Sequence, residues 1–242
     1  MGATFSVVLY GSDRASMNQA MDAAFEEAHR LDALLSNYRP ASEWSRINRE
    51  AAARPVAVSP ELFRLLSDCV EYSRASEGTF DLTVGPLMRA WGFSGGGRHV
   101  PSPDQIREAL ELVGYRHVQL NARKRTVRFD RPGVEIDPGG VGKGYAVDRM
   151  VEVLRARGIR NALVAASGSS IFGLGNPPEE PRGWPISIAD PGTTGRTRRR
   201  CSSKTCLSPP RAATRNHSVP SDAVTRTSWT PAAAFRPKAL FR

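Results

Sequence analysis

Hydrophobic and polar positions follow two spacings along the chain, which predict helices and strands in mixed order. Helical spacing predicts helices over residues 17–35, from 60 through 72, from 103 to about 113, and from 143 to about 157. Alternating or short continuous apolar runs predict strands at residues 4–10, 117–120, 126–129, 134–136 and 162–165. Because both kinds of element occur throughout, the predicted fold class is α+β.

A turn containing four glycines separates a predicted strand from a predicted helix. Its sequence is V-E-I-D-P-G-G-V-G-K-G-Y-A-V-D at residues 134–148. Glycines let backbone N–H groups approach a pyrophosphate, the helix N-terminus adds partial positive charge, and Lys143 adds a full one. The spacing fits neither G-x-G-x-x-G nor G-x-x-x-x-G-K-[ST], so the residues alone leave a structural turn and a phosphate-binding turn both open.

The excess positive charge is concentrated at the C-terminal end of the chain, and this location limits the functions that the composition supports. The net charge is +10, and residues 191–242 contain eleven Lys and Arg with one acid, Asp222, which leaves 23 basic and 23 acidic residues in 1–190. Because positive and negative charges are equal in number in residues 1–190, this part of the chain does not favour nucleic-acid binding. No run approaches the roughly 20 apolar residues of a membrane span. The three cysteines lack zinc-site spacing, and a buried thiol is expected at Cys69.

Four blocks of sequence, in order, resemble the FAD:protein FMN transferases of the ApbE family. The glycine turn is similar to that family's D-[LP]-G-G-[IV]-[AG]-K-G-[YW]-A-x-D signature. The other blocks are M-G-A-T-F at 1–5, L-S-N-Y-R-P-A-S-E at 35–43 with R-I-N at 46–48, and G-T-F-D-L-T-V-G-P-L at 78–87 with W-G-F at 91–93. The resemblance covers residues 1–190.

This resemblance implies an ApbE-type, T-fold-like architecture of mixed sheets with packed helices, with the C-terminal portion incomplete. The implied activity transfers FMN from FAD onto a Thr or Ser hydroxyl of a target flavoprotein, with release of AMP and with Mg²⁺ as cofactor. The family acts in the periplasm or cell envelope. No export signal precedes the first strand here, so the location stays open, and it is cytoplasmic as the sequence is written.

The family pattern also implies particular site residues. The FAD contacts are Met1, Tyr38, Thr79, Phe80, Asp81, Asp137 and Lys143, and the backbone carbonyl of Gly140 is a Mg²⁺ ligand. Without the resemblance, Tyr38 is either an aromatic at a helix end or a ring that stacks on flavin or adenine, and Asp81 is either a helix cap or a ligand-binding carboxylate. No catalytic residue is assigned, because His217 lacks the family's S-H-I-x-D-P context.

The C-terminal segment departs from the rest of the chain. Residues 192–242 show no apolar periodicity, and we expect a disordered basic tail that is read out of frame, beyond a flavin-transferase domain at 1–191. Shifting the codons of residues 224–234 back by one base permits Y-A-H-I-M-D-P-R-S-G, which resembles the family's S-H-I-x-D-P-x-[TS]-G. Transfer activity is therefore expected to be impaired, and the alternative is an inactive flavin-binding remnant.

Resequencing the gene from the codon of Asp190 to about two hundred bases past that of Arg242 tests the frameshift. We expect one missing or extra base near codons 192–200, and a corrected frame that encodes the histidine motif and the later Asp/Thr motif. An unchanged sequence would show that the basic tail is genuine.

Overall fold

The computed structural model describes residues 2–93, 97, 99–189, 196–201 and 224–227. Within them the helices are α1 (Arg14–Leu35), α2 (Glu43–Glu50), α3 (Pro60–Ala75), α4 (Gly85–Ala90), α5 (Pro103–Leu110) and α6 (Gly142–Ala156). The strands are β1 (Phe5–Tyr10), β2 (Val56–Ala57), β3 (Val118–Asn121), β4 (Thr126–Phe129), β5 (Asn161–Ala166), β6 (Ser170–Leu174), β7 (Trp184–Ala189), β8 (Arg196–Cys201) and β9 (Val224–Thr227). Within the same ranges, 3₁₀ turns occur at Tyr115–His117 and Pro138–Gly140.

The predicted α+β class is confirmed, and the strands pair antiparallel. They form a four-stranded sheet in the order β6-β5-β1-β9, a three-stranded sheet in the order β2-β4-β3, and the pair β7-β8. The chain divides into two compact units, the first made of residues 1–30 and 143–242 and the second of residues 31–142. No helix in the described ranges combines the length and the apolar character that crossing a bilayer requires.

In the first unit, the alternation along β1 produces two apolar faces. Phe5, Val7 and Leu9 are buried, and their partners across the β1–β5 ladder are Ala166, Val164 and Ala162. The intervening residues Val8 and Tyr10 pack against a second cluster formed by Ile171, Trp184 and Ile186. Such period-two burial on both faces is expected of a strand covered on each side.

The indole of Trp184 fixes the neighbouring strand. Its ring centroid lies 5.7 Å from that of Tyr10, and its Nε1 donates a hydrogen bond to the carbonyl oxygen of Leu174 at 3.1 Å. A Cβ at Gly173 would lie 2.6 Å from Trp184 Cδ1. Only glycine therefore fits at this position of β6 without displacing the indole.

Among the described helices of the second unit, α2, α3 and α5 begin at serine caps. The side chains of Ser42, Ser59 and Ser102 each accept a backbone N–H in the first turn of α2, α3 and α5. These caps satisfy N–H groups that have no partner within a helix. In the β2-β4-β3 sheet, Val127 and Phe129 are fully buried.

The structure agrees with the predicted helices at α1, α3 and α6, whereas α5 ends at Leu110, earlier than predicted. The strand predicted at residues 134–136 is wrong. This segment pairs with no described strand. Gly85 N–H, at the start of α4, donates to the Glu135 carbonyl at 3.2 Å, and Asp137 N–H donates to the carbonyl of Leu82 in the preceding loop at 2.8 Å.

Two strands lie in the segment for which the sequence predicts no regular structure. The strand β8 pairs with β7, and β9 pairs with β1. Each of the two strands pairs with its neighbour through backbone hydrogen bonds. Backbone hydrogen bonds do not require apolar side chains, so the apolar pattern of the sequence does not predict these strands. The other residues of 192–242 lie outside the described ranges, and the domain boundary at 191 stays a prediction.

The buried thiol expected at Cys69 is confirmed, and it yields a test of the second unit's core. The side chain is fully buried in α3, and burial raises the pKa of its thiol to about 12, with a further contribution from the charge of Asp68. In a variant with Cys201→Ser and Cys206→Ser, we expect Cys69 to react with a thiol reagent at pH 8 only after unfolding in denaturant. The same variant with Cys69→Ala supplies the baseline, and rapid labelling of the native protein would contradict this burial.

Candidate functional site

The site is built around the extended segment 134–137 of the second unit, which helix α2 holds in place. Trp44 and Asn48 of α2 both reach the backbone of Ile136. Trp44 Nε1 donates to its carbonyl oxygen at 3.1 Å, and Asn48 Nδ2 donates to the same oxygen at 2.9 Å. Ile136 N–H donates to Asn48 Oδ1 at 2.9 Å. Both backbone groups of this buried residue are thus satisfied by side chains.

The carboxylate of Asp137 caps the glycine turn that follows. Its Oδ1 accepts the N–H of Gly139 at 2.7 Å, and its Oδ2 accepts Asn37 Nδ2 at 3.1 Å. A Cβ at Gly139 would lie 2.6 Å from Asp137 Oδ1. A side chain at position 139 would therefore displace the carboxylate, which closes the 3₁₀ turn Pro138–Gly140 at its N-terminal end.

An aromatic ring lies against the same turn. A Cβ at Gly140 would lie 3.0 Å from Phe80 Cε2, so the ring contacts the backbone of Gly140. The loop carrying this ring is fixed by Ser76, whose Oγ accepts the N–H of Phe80 at 3.0 Å and whose carbonyl accepts the N–H of Thr79 at 3.0 Å. The Thr79 side chain is exposed.

The carboxylate of Asp81 is used within the protein. Its Oδ1 accepts the N–H and the hydroxyl of Thr83 at 2.8 and 2.6 Å, and its Oδ2 accepts the N–H of Tyr115 at 2.7 Å. Thr83 Oγ1 in turn accepts the N–H of Gly114 at 2.7 Å. Asp81 therefore organises the connection between two loops, and its role as an FAD contact stays a prediction.

Tyr38 lies just beyond α1 with 70% of its surface exposed. The turn beneath it is fixed at Ser36, whose carbonyl accepts the hydroxyls of Ser42 at 2.7 Å and Ser45 at 3.0 Å and whose Oγ accepts the N–H of Tyr38 at 3.2 Å. A ring so exposed buries little area in the protein, so the stacking alternative fits it better than a packing role at the helix end.

Two of the predicted FAD contacts are not residues of the second unit. Lys143 is in the first turn of α6 and belongs to the first unit, and its ammonium has no hydrogen-bond or ion-pair partner among the described residues. Met1 lies outside the described residues. The second unit itself thus brings together Phe80, Gly140 and Asp137, with Tyr38 adjacent in sequence to the Asp137 partner Asn37.

Sequence reasoning missed the residues that fix this arrangement, namely Asn37, Trp44 and Asn48. Asn37 and Asn48 stand inside the blocks that carry the family resemblance, but nothing in the residue types indicated that they contact residues about a hundred positions away. The helix that carries Trp44 and Asn48 was not predicted either, so no local signal pointed to these contacts.

The described residues do not form a magnesium site by themselves. No group of three or more His, Cys, Asp or Glu side chains in the described part of the chain is placed to hold a metal ion. Magnesium commonly takes one or two carboxylates together with substrate phosphates. Gly140 contributes only its carbonyl oxygen, so its role as a Mg²⁺ ligand stays a prediction.

The fold is that of a flavin transferase. It is similar to the flavin transferase ApbE from Vibrio cholerae, with a TM-score of 0.67 and 27% identity over 79% of this chain and 62% of that one. It is similar to the ApbE protein from Thermotoga maritima, with a TM-score of 0.72 and 28% identity over 82% of this chain and 65% of that one.

Sequence comparison identifies the family. The model of the ApbE family matches residues 1–208, and the chain belongs to that family. Relatives named FAD:protein FMN transferase include one from Treponema pallidum (strain Nichols), 30% identical over 75% of this chain and 53% of the relative. Another from Chlamydia pneumoniae is 35% identical over 60% of this chain and 45% of the relative. The chain thus spans about half the length of these curated relatives.

The hydrogen bonds of Asp81 predict a structural role that is measurable without any ligand. We expect Asp81→Asn to lower the free energy of unfolding by about 1–3 kcal/mol, because the amide nitrogen replaces one acceptor and faces an N–H or hydroxyl donor. Urea unfolding measures the loss, and Asp68→Asn, at an exposed position of α3, serves as the matched control. Equal stability of the two variants would show that the Asp81 network is dispensable.

Proposed function

We propose that this chain is the FAD-binding part of an FAD:protein FMN transferase. The observation that carries the proposal is the turn Pro138–Gly140, capped by Asp137 and contacted by Phe80, in a chain of the ApbE family. The turn stands where the family signature lies, directly ahead of α6. Relatives named FAD:protein FMN transferase supply the reaction class.

In the proposed reaction a threonine or serine hydroxyl of a target flavoprotein attacks the FMN-side phosphorus of FAD. The new phosphoester bond forms as the bond from that phosphorus to the AMP oxygen breaks, AMP leaves, and the hydroxyl proton passes to a base. FAD is therefore the substrate and the flavoprotein is the acceptor. The chain contributes binding and orientation in this scheme, and no proton transfer is assigned to its described residues.

The described side chains suit the parts of such a ligand. The exposed ring of Tyr38 offers a face on which flavin or adenine can stack. The Asp137 carboxylate accepts one N–H from the turn and one from Asn37, and each of its oxygens keeps acceptor capacity for a ligand hydroxyl or N–H. The ammonium of Lys143 provides a positive charge for phosphate.

Magnesium enters this proposal only through the family. Bound to the pyrophosphate, it would offset negative charge. The described residues do not assemble its ligands, so no step of the reaction is assigned to the metal here.

The exposed position of Tyr38 yields the direct test. We expect Tyr38→Ala to weaken FAD binding about tenfold, the loss of one aromatic stacking contact, while leaving the melting temperature nearly unchanged. Quenching of flavin fluorescence measures the affinity. Tyr72→Ala is the matched control, since Tyr72 on α3 is similarly exposed, at 61% against 70% for Tyr38.

The outcomes separate the alternatives. Wild-type binding of FAD with a loss only in Tyr38→Ala supports the proposal, and absence of FAD binding by the wild-type chain overturns it. Covalent flavin on a threonine-bearing acceptor peptide, after incubation with FAD and Mg²⁺, would rule out the inactive remnant. Binding without transfer would instead favour the remnant.

A further inference from the structure

We propose that Asn37 and Asn48 are positioning residues that set the Asp137 carboxylate, and through it the glycine turn, for the ligand. This inference rests on the proposed function, because it concerns FAD binding at the same turn. It assigns a role to two amide side chains that belong to different elements, one following α1 and the other in α2.

The argument begins at Ile136, whose N–H can only donate. The Asn48 atom that faces it at 2.9 Å is therefore the carbonyl oxygen. The amide nitrogen of Asn48 then points to the Ile136 carbonyl at 2.9 Å and toward Asn37 Oδ1 at 3.5 Å. With its oxygen turned to Asn48, Asn37 presents its own Nδ2 to Asp137 Oδ2 at 3.1 Å. One backbone N–H thus determines the orientation of both amides.

The same chain of contacts ends at the turn. Asp137 uses Oδ2 for Asn37 and Oδ1 for the N–H of Gly139, so the carboxylate plane is set from both sides. Rotation of this carboxylate would remove the cap of the turn Pro138–Gly140, against which Phe80 rests. Removal of the Asn37 amide is therefore expected to change the conformation of the turn where the ligand is proposed to bind.

Amides suit this role because they are neutral. A lysine or arginine in place of Asn37 would offset the charge of Asp137, and an acid would repel it, whereas an amide donates a hydrogen bond and leaves the negative charge unchanged. The Asn37 side chain is only partly buried, so its removal opens no cavity in the core. Its effect on binding can therefore be separated from an effect on folding.

A double-mutant cycle tests the coupling between Asn37 and Asp137. We expect Asn37→Ala to weaken FAD binding about tenfold with a melting temperature within about 3 °C of wild type. Asp137→Ala should weaken binding at least as much, and the double variant should bind no more weakly than Asp137→Ala alone, within a factor of about two. If the loss of FAD affinity in the double variant equals the product of the two single losses, Asn37 acts independently of the carboxylate. That result would overturn the inference.

A second measurement, amide hydrogen exchange, reports on the turn in the absence of ligand. Amide hydrogen exchange at Gly139 should accelerate in Asn37→Ala and in Asn48→Ala, because the acceptor of that N–H is released. The matched control is Asn121→Ala, which removes an exposed amide whose oxygen accepts the Lys124 N–H in the β3–β4 turn. This variant should change neither exchange at Gly139 nor FAD affinity.

The two proposals fail in different ways. If wild-type protein binds no FAD, the proposed function fails and the positioning role toward FAD fails with it. If wild type binds FAD and Asn37→Ala binds equally well, only the positioning role is overturned. Unchanged exchange at Gly139 in both asparagine variants would likewise overturn it, whatever the affinity.

Discussion

The arrangement of the site depends on how the backbone of Ile136 is satisfied. An extended segment outside a sheet lacks the ladder that normally pairs its N–H and C=O groups, and leaving such groups buried and unpaired is costly. Here Asn48 supplies both a donor and an acceptor, and Trp44 adds a second donor. A side-chain amide has the same donor and acceptor pair as a peptide group, so Asn48 substitutes for a neighbouring strand. The position of Asp137, the next residue, follows from that pairing.

Two aspartates of the same unit show how their surroundings decide what a carboxylate can do. Asp81 accepts three hydrogen bonds from protein donors and connects two loops. Asp137 accepts two, one of them from the turn that it caps. A carboxylate offers about four acceptor positions, so Asp137 keeps more capacity for a ligand than Asp81 does. The two aspartates cannot be distinguished by residue type or by their positions in the sequence motifs. Their roles differ because different hydrogen-bond donors surround them.

The elements that local chemistry specifies could be predicted, and those that distant partners specify could not. Apolar periodicity located α1, α3 and α6, and alternation located β1 and the β3–β4 hairpin. Residues 134–136 have the apolar pattern of a strand, yet their hydrogen-bond partners are the backbone at the start of α4 and the side chains of α2, which no local pattern specifies. The helix α2 lay within a family block, but its role in holding Ile136 depends on a separation of 88 residues.

The glycines of the turn do not by themselves indicate phosphate binding. A Cβ at Gly139 would lie 2.6 Å from Asp137 Oδ1 and displace the carboxylate, and Gly140 lies against Phe80. The N–H of Gly139 is already bonded to the carboxylate, so it is not an open donor for a pyrophosphate. A glycine-rich sequence therefore overstates the number of amides available to an anion. The negative charge of Asp137 also lies at this turn, so under the proposed function the turn is better suited to hydroxyl and N–H groups of the ligand than to its phosphates.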